Sequence, residues 1–344
     1  MLNIKTKFTG HIMRENNIAA KVDNDEITEI TSMAPIYIQR TKNFNQWLTD
    51  RGADTSRSYV RIILRQLGLP QIDIKQATKF VHAASLTDTF WIKDINENLQ
   101  YKDTVFNKDN PYFKAALQGS ADIFELPMVK TPEVVNIGSF NKGWRVKNGK
   151  WILYKAGTPL EIFSELFTSK LAEALGLNAV HYYIDEGFIA CENFVQAGDC
   201  FEHAKSLIGE DTDYKKNAEI MTELGFLKEY MDIIFMDAIV RNGDRHEFNY
   251  GILTNPKGIA QLAPNFDNNL ALFHNGIPTV LSRKDVMVTD FIKVLKLFNY
   301  TPPILSENIL REVIKKTMTE FPVDIHEQVL LDFCLNAYKQ IRSS

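Results

Sequence analysis

Three oxygen-bearing side chains in the second half of the sequence have the types and spacing of a magnesium-dependent phosphoryl-transfer site. Asp244 and Asn249 lie five residues apart in the string NGDRHEFN (residues 242–249), and Asp267 follows eighteen residues after Asn249. Phosphoryl transfer from ATP uses one carboxylate to accept the hydroxyl proton, and an amide oxygen and a second carboxylate to hold magnesium against the phosphates. Magnesium prefers oxygen ligands and takes few of them from the protein. The residue types and their spacing therefore fit magnesium-dependent phosphoryl transfer, which needs one carboxylate as base and an amide oxygen and a second carboxylate as metal ligands.

The sequence around Asp244 predicts a loop between a helix and a strand. Apolar residues recur at helical spacing between Met231 and Ala238, and the pattern ends at the turn signal NG at residues 242–243. A short strand is predicted at residues 250–253. The competing interpretation is a surface turn, because Asn-Gly-Asp is common in turns. The second acidic site downstream favours the catalytic interpretation.

The order Asp-x-His-x-x-Asn resembles the catalytic loop of the HipA-like kinases, which share it with the phosphoinositide kinases. Ordinary protein kinases place the His before the Asp. The resemblance implies that Asp244 is the catalytic Asp, that Asn249 is the first metal ligand, and that Asp267 has the role of the Asp in the kinase Asp-Phe-Gly motif. It also implies that His246 is the internal His, which stabilises the loop.

A β-hairpin and a capped helix are predicted before the catalytic loop. The hairpin spans residues 144–155, with Asn148–Gly149 as its two-residue turn. The following residues, Thr158-Pro-Leu-Glu161, combine a capping box with proline at the first helical position. The helix is predicted to reach Leu175 and to stop at Gly176.

Lys155 and Glu165 are the predicted ion pair of the nucleotide site. Lys155 ends the second hairpin strand, where a lysine can reach nucleotide phosphates, and a paired lysine keeps its charge and direction. HipA-like sequences place the partner Glu six residues before the Leu-Ala of a Leu-Ala-x-x-Leu-Gly pattern, and Glu165 precedes LAEALG (residues 171–176) by six. Glu161 is the competing candidate, but the capping box explains it. The alternative for Lys155 is a solvated lysine at a strand end.

Residues 137–143 (IGSFNKG), here called the phosphate loop, precede the hairpin where a phosphate-covering loop belongs. Gly138 and Ser139 would let backbone N–H groups approach phosphate oxygens; a plain turn is the equal alternative. HipA relatives phosphorylate themselves in this loop. Ser139 is the only hydroxyl residue between Val134 and Leu153, which makes it the candidate for autophosphorylation, although the family's modified Ser falls nearer Val135.

The order of elements along the chain places an adenine-binding hinge at residues 190–194 (ACENF), with Glu192 and Phe194 as its candidates. In the resembled family this segment binds adenine through backbone groups.

Composition is that of an ordinary globular protein. The 344 residues are 45% hydrophobic and 24% charged, and the net charge of −4 gives no general reason to expect nucleic acid or an anionic membrane as a partner. Three cysteines without zinc-ligand spacing indicate reduced thiols. The first residues lack a signal-peptide core, and no apolar run reaches the length of a membrane helix, so a cytoplasmic location is expected.

A basic stripe of Arg57, Arg61 and Arg65 recurs at helical spacing beside a possible helix-turn-helix at residues 45–67. Such a stripe could contact DNA phosphates. A solvated or salt-bridged helix face is the favoured interpretation in a protein of net negative charge.

The resemblance covers about residues 131–270 and implies an α+β, two-lobed protein-kinase-like fold. We expect an N-terminal accessory region (1–125), a small sheet lobe (126–195) and a larger helical lobe (196–344). The expected function is ATP- and Mg²⁺-dependent phosphorylation of Ser or Thr in a protein, including this chain itself. HipA-like kinases act as toxins or effectors in bacteria, in some systems with a DNA-binding antitoxin as partner. The alternatives are a lipid or small-molecule kinase, and a DNA-binding accessory protein with a vestigial kinase lobe.

Overall fold

The chain divides into two compact units, which are described one at a time. The computed structural model describes residues 7–69, 73–106, 108, 110–119, 127–210, 213–272 and 286–343, without the side chains of residues 58 and 286–288. The first unit contains Met1–Ala156, Glu192–Glu202 and Leu253–Ala260. The second contains Gly157–Cys191, His203–Ile252 and Gln261–Ser344. The predicted boundaries near residues 125 and 195 remain predictions.

An antiparallel sheet with both faces covered forms the centre of the first unit. Its strands are β1 (Gly10–Arg14), β2 (Asn17–Asp23), β3 (Glu26–Ile30) and β4 (Phe90–Asp94), in the order β3-β2-β1-β4. Successive side chains of a strand point to opposite faces. Ile12 accordingly packs in one apolar cluster with Trp47, whereas its neighbour Met13 packs in another with Tyr59 and Trp91.

Short helices supply the residues that cover this sheet. They are α1 (Ile36–Thr41), α2 (Phe44–Asp50), α3 (Ser58–Gln66), α4 (Ile74–Phe80) and α5 (Phe113–Gln118). Two helices are present where the sequence suggested a helix-turn-helix at residues 45–67, with α2 and α3 on either side of Gly52. Gly68 ends the second helix with φ +68°, the left-handed conformation that glycine adopts most readily.

The predicted hairpin is present as β5 (Lys142–Lys147) and β6 (Lys150–Lys155). Its closing pair is Lys147 opposite Lys150. Both turn residues have positive φ, 53° at Asn148 and 79° at Gly149, which defines a type I′ turn that matches the twist of the strands. The Asn-Gly signal therefore predicted both the position and the register of the hairpin.

The second unit is mainly helical. The elements assigned to it are a hairpin of β7 (Tyr183–Asp185) and β8 (Phe188–Glu192), and the helices α6 (Pro159–Ala174), α7 (Lys205–Ile208), α8 (Tyr214–Glu223), α9 (Leu227–Val240), α10 (Val286–Leu297), α11 (Glu307–Glu320) and α12 (Glu327–Ser343). Helix α9 is buried along most of its length and packs against α6, α8, α10 and α12. It is therefore the central helix of this unit.

Helix α6 begins as the sequence predicts. Thr158 Oγ1 accepts a hydrogen bond from the backbone N–H of Glu161 (3.4 Å), and Glu161 Oε2 accepts one from the backbone N–H of Thr158 (2.7 Å). This reciprocal capping box explains Glu161 without a role in a nucleotide site. The helix ends at Ala174, and Gly176 follows with φ +69°.

Four of the five points at which the chain passes from one unit to the other lie within strands. These strands are β8, together with β9 (Cys200–His203), β10 (Gly251–Thr254) and β11 (Ala260–Leu262). Strand β10 confirms the strand predicted directly after the catalytic loop. Across the described residues, no helix combines the length and apolar character needed to cross a membrane.

Candidate active site

The end of helix α9 places Asp244 in a tight loop. The helix stops at Val240, and Arg241 adopts a left-handed conformation with φ 55° while its backbone N–H donates to Asp237 O. The sequence predicted that the helix would end at the turn signal Asn242–Gly243. In the structure Asn242 is instead fully buried, and its Nδ2 donates to Asp237 Oδ1 (3.0 Å). The turn thus precedes the predicted position and anchors the loop to α9.

Asp244, His246 and Asn249 lie together in the loop. The backbone N–H of His246 donates to Asp244 O (2.9 Å), and that of Asn249 donates to His246 O (2.9 Å). Asn249 Nδ2 donates to Asp244 O (2.7 Å) and, more weakly, to Asp244 Oδ2 (3.5 Å). Because the amide nitrogen faces Asp244, the amide oxygen of Asn249 is the atom that can bind a cation.

His246 supports the loop from within. Its Nδ1 accepts a hydrogen bond from the backbone N–H of Phe248 (3.2 Å), and its Nε2 lies 4.0 Å from Asp244 Oδ2. The ring of Phe248 stands edge-on to the imidazole at 6.1 Å. These contacts are those of a loop-stabilising residue with one ring nitrogen directed at the candidate base.

Arg245 connects the loop to helix α9 and to the segment around Asp267. Its buried guanidinium forms two hydrogen bonds with the carboxylate of Asp237, both 2.9 Å long. It also donates to the backbone oxygens of Asn249 (2.5 Å) and Phe266 (2.8 Å). Two further bonds reach Asn265 Oδ1 (2.9 Å) and Asn268 Oδ1 (2.7 Å). The Arg245 guanidinium therefore fixes the backbone of Asn249 and residues on both sides of Asp267.

Asp267 occupies a constrained backbone position within this network. Its φ is +61°, a left-handed conformation that is uncommon for a residue with a side chain. The next residue, Asn268, donates its backbone N–H to Glu165 Oε2 (2.5 Å), and Glu165 is fully buried in α6. Predicted residues Glu165 and Asp267 are thus brought together through the backbone of Asn268.

The pKa of Asp244 is influenced by the neighbouring carboxylate of Asp267. Burial raises the pKa of Asp244, and the negative charge of Asp267 raises it further, while His246 lowers it. A divalent cation held by Asp267 would offset this repulsion. Asn249 and Asp267 offer hard oxygen donors of the kind magnesium binds, and magnesium completes its shell with water and phosphate. Among the described residues, no set of three or more His, Cys, Asp or Glu side chains is grouped as a metal site, which this two-ligand arrangement does not require.

In the first unit, two buried lysines stand opposite each other at the end of the hairpin next to the phosphate loop. Lys155 pairs with Lys142 across β6 and β5, and each is only 6% exposed. Directly opposite residues of an antiparallel pair project from the same face, and like charges there repel.

The phosphate loop is open at its apex. Gly138 has φ +108°, a conformation that favours glycine, and a Cβ added to it would lie 2.4 Å from Lys142 Nζ and would displace that ammonium. Ser139 is exposed beside it. The loop thus places a lysine ammonium close to its backbone, which is the arrangement that a phosphate site uses.

The predicted hinge residues are held by contacts within the first unit. Glu192 forms an exposed ion pair with Lys150 (2.7 Å), and Phe194 stands edge-on to Phe201 at 5.4 Å. Asn193 between them donates its backbone N–H to Trp151 O (2.9 Å). The role of Glu192 and Phe194 in binding adenine stays a prediction.

Sequence reasoning missed several residues that build the site, namely Lys142, Asp237, Asn242, Arg245, Asn265 and Asn268. One signal was available for Asp237, which is a charge inside the otherwise apolar run IIFMDAIV. A charge in such a position needs a buried partner. Arg245 is that partner, but only the folded chain identifies it.

Several solved structures are similar to this chain, among them the following two. The HipA chain of the Shewanella oneidensis MR-1 toxin–antitoxin system HipA, HipB and operator DNA complex is 12% identical, with 98% of this chain and 100% of that chain covered and a TM-score of 0.61. The Helicobacter pylori proinflammatory kinase CtkA is 18% identical, with 59% and 90% covered and a TM-score of 0.43. No model of a known protein family matches the sequence, and no curated protein does. The likeness to HipA confirms the expected kinase-like α+β fold, similar to that of the HipA-like kinases.

Proposed function

We propose that this protein transfers the γ-phosphoryl group of ATP, with magnesium, to a serine or threonine hydroxyl of a protein. Asp244 orients the acceptor hydroxyl and accepts its proton. Asn249 and Asp267 hold the magnesium, which when bound neutralises charge on the transferring phosphoryl group. Lys155 and the phosphate loop bind the phosphates, and the segment from Glu192 to Phe194 binds the adenine.

The observation that carries this proposal is the assembly of the three oxygen-bearing residues around one buried arginine. Arg245 bonds to the backbone of Asn249 and of Phe266, the residue before Asp267. Catalysis of phosphoryl transfer is mostly positioning and electrostatic stabilisation, so such a site must hold its oxygens in place before substrate arrives. A surface turn has no need of a fully buried ion pair beneath it, because burying charges is costly.

The direct experiment measures nucleotide binding and phosphoryl transfer separately. ATP is titrated calorimetrically into the purified protein with magnesium and with EDTA, and radiolabelled ATP is then incubated with protein and cell lysate. We expect magnesium-dependent binding and label on Ser or Thr of proteins, mapped by mass spectrometry. Label confined to lipids or small metabolites would replace the proposal with the small-molecule kinase. Failure to bind MgATP together with retention of DNA at physiological salt would support the DNA-binding accessory protein.

The pairing of Lys155 with Glu165, which the sequence predicts, has a distinctive mutational signature. We expect Lys155→Ala and Glu165→Ala each to lower turnover by roughly 10²-fold, the order of loss for removing one electrostatic donor. The double variant should be little worse, because both changes remove the same interaction. Lys155→Arg should not rescue, since a planar guanidinium differs from a compact ammonium. Transfer assays on the four variants give the comparison.

Glu161→Ala is the matched control for Glu165→Ala, because both glutamates lie on α6 and Glu161 is explained by the capping box. It should cost about 1 kcal/mol of stability and leave turnover unchanged. Independent, additive losses at Lys155 and Glu165 would argue against their pairing.

Ser139 is the proposed site of self-phosphorylation. It is exposed in the phosphate loop, so a phosphoryl donor can reach its hydroxyl. After incubation with MgATP, we expect the wild type to gain the mass of a phosphoryl group and Ser139→Ala to show no gain. Intact-mass measurement decides this, with Asp244→Asn as the inactive control. An identical gain in wild type and Ser139→Ala would place the modification elsewhere.

A regulatory protein partner of the antitoxin kind is part of the proposal, as is a cytoplasmic location. The HipA structure similar to this chain is that of a complex with HipB and operator DNA. The net charge of −4 gives this chain no general attraction for DNA, so contact with DNA would come through such a partner. Copurification of the tagged chain from its own cells, followed by mass spectrometry, tests for the partner.

A further inference from the structure

Arg57 is the one member of the basic stripe that is buried within the first unit. Only 4% of it is exposed, whereas Arg61 and Arg65 are exposed on the same helix, α3. Helix α3 starts at Ser58, so Arg57 lies at its N-cap and not on the solvated face that the periodicity suggested. Its guanidinium packs against the ring of Tyr59 at 5.0 Å. Arg57 is therefore neither a phosphate contact for DNA nor a solvated side chain.

The guanidinium of Arg57 closes the start of the phosphate loop. Nη2 donates to Asn136 O (2.6 Å) and Nη1 donates to Phe140 O (3.1 Å). These two carbonyl groups lie on either side of the half-buried Gly138 and the exposed Ser139. A single rigid fork thus bridges two backbone positions four residues apart, and its planar geometry holds both at once.

A buried carboxylate completes the support beneath the loop. Glu133 is fully buried and accepts hydrogen bonds from the backbone N–H of Trp144 (2.8 Å) and from the side chains of Asn110 (2.8 Å) and Asn136 (3.0 Å). Burial raises the pKa of Glu133 to about 7, and the charge of Arg57 acts in the opposite direction. Both ends of the loop are therefore fixed from beneath by Arg57 and Glu133.

We propose that Arg57 is a positioning residue that holds the phosphate loop in the conformation that binds nucleotide. The inference rests on the proposed function and deepens it, because it makes the N-terminal region part of the nucleotide site. Asn136 Nδ2 donates to Lys142 O (3.4 Å) and Tyr59 hydroxyl donates to the same oxygen (3.5 Å). The contacts that begin at Arg57 thus continue to the residue whose ammonium lies against Gly138.

The test uses Arg57→Ala and Arg57→Lys, with Arg61→Ala and Arg65→Ala as matched controls from the same helix. The first measurement, made without nucleotide, is the rate at which chymotrypsin cleaves after Phe140. This rate reports how often the loop opens. We expect roughly 10- to 100-fold faster cleavage in Arg57→Ala, the loss expected for removing hydrogen bonds from a charged donor. The cleavage rate of Arg57→Lys should lie between those of Arg57→Ala and the wild type, because an ammonium keeps the charge but lacks the planar set of donors.

The second measurement is the dissociation constant for MgATP together with KM and kcat. Arg57→Ala should weaken MgATP binding by roughly 10-fold or more, and Arg57→Lys less, while kcat at saturating ATP changes little. Both control variants should match the wild type in every measurement. Thermal unfolding is followed in parallel, and the midpoint of Arg57→Lys should stay near that of the wild type.

Each outcome of these measurements either supports or overturns the inference that Arg57 holds the phosphate loop. Cleavage rates and MgATP affinities in both Arg57 variants equal to those of the controls would overturn the inference. Loss of cooperative unfolding in both Arg57 variants would also overturn it, because it would assign Arg57 to the stability of the whole unit. If the wild type itself fails to bind MgATP, the proposed function falls, while the cleavage rates still decide whether Arg57 holds the loop.

Discussion

Replacing Asp244 with asparagine is expected to reduce turnover by roughly 10²–10⁴, the usual contribution of a positioned general base. Affinity for MgATP should stay within a few-fold of the wild type, because Asp244 acts on the acceptor hydroxyl and not on the nucleotide. The change conserves size and leaves the hydrogen bond from Asn249 Nδ2 to Asp244 O in place, since that acceptor is a backbone oxygen. Calorimetric titration of MgATP and a transfer assay measure the two effects.

Asp267→Asn is the variant to compare with Asp244→Asn, since it replaces an anionic ligand by a neutral side chain of the same size. It should weaken magnesium-dependent nucleotide binding as well as transfer, because the ion loses a charged donor. Asn249→Ala should weaken magnesium-dependent nucleotide binding more than Asp244→Asn and less than Asp267→Asn, since it removes one neutral oxygen ligand. Should Asp244→Asn retain most of its activity with unchanged binding, the assignment of the catalytic loop fails, and a nucleotide-binding module becomes the better description.

Signals confined to a few neighbouring residues predicted much of the local structure. The Asn148–Gly149 turn specifies the hairpin because both residues tolerate positive φ, and Thr158 specifies the start of α6 because its hydroxyl caps the helix. The order Asp244, His246 and Asn249 likewise fits within one loop, whose backbone hydrogen bonds bring the three residues together. Each of these features depends on contacts across a handful of residues, which a sequence pattern can represent.

The supports of the site could not be predicted in the same way. Arg245 binds acceptors from Asp237 to Asn268, and Arg57 binds carbonyl groups some eighty residues away. A pattern of charges along a helix predicts a solvated face on average, so it assigned Arg57 to solvent with its neighbours. Burial of a cation is decided by which carbonyl and carboxylate groups the fold brings to it, and this information is distributed over the whole unit.

Arg245→Met is expected to lower the free energy of unfolding by about 3–5 kcal/mol, the order of cost for removing one partner of a buried ion pair. Methionine fills much of the volume but leaves the Asp237 carboxylate buried with its charge uncompensated. The exposed ion pair of Arg311 and Glu307 provides the matched control, and Arg311→Met should cost less than about 1 kcal/mol. Urea unfolding of the two variants and the wild type measures these differences.

The double variant Asp237→Leu/Arg245→Met separates stability from positioning. Removing both charges eliminates the uncompensated carboxylate, so part of the lost stability should return, as it does when buried ion pairs are replaced by apolar residues. Phosphoryl transfer should not return, because methionine cannot donate to the backbone oxygens of Asn249 and Phe266, and the predicted metal ligands then lose their common support. Unfolding and transfer measured on the same preparation distinguish the two effects. Wild-type turnover in the double variant would mean that Arg245 only stabilises the unit, and that the loop holds Asn249 and Asp267 in place by its backbone alone.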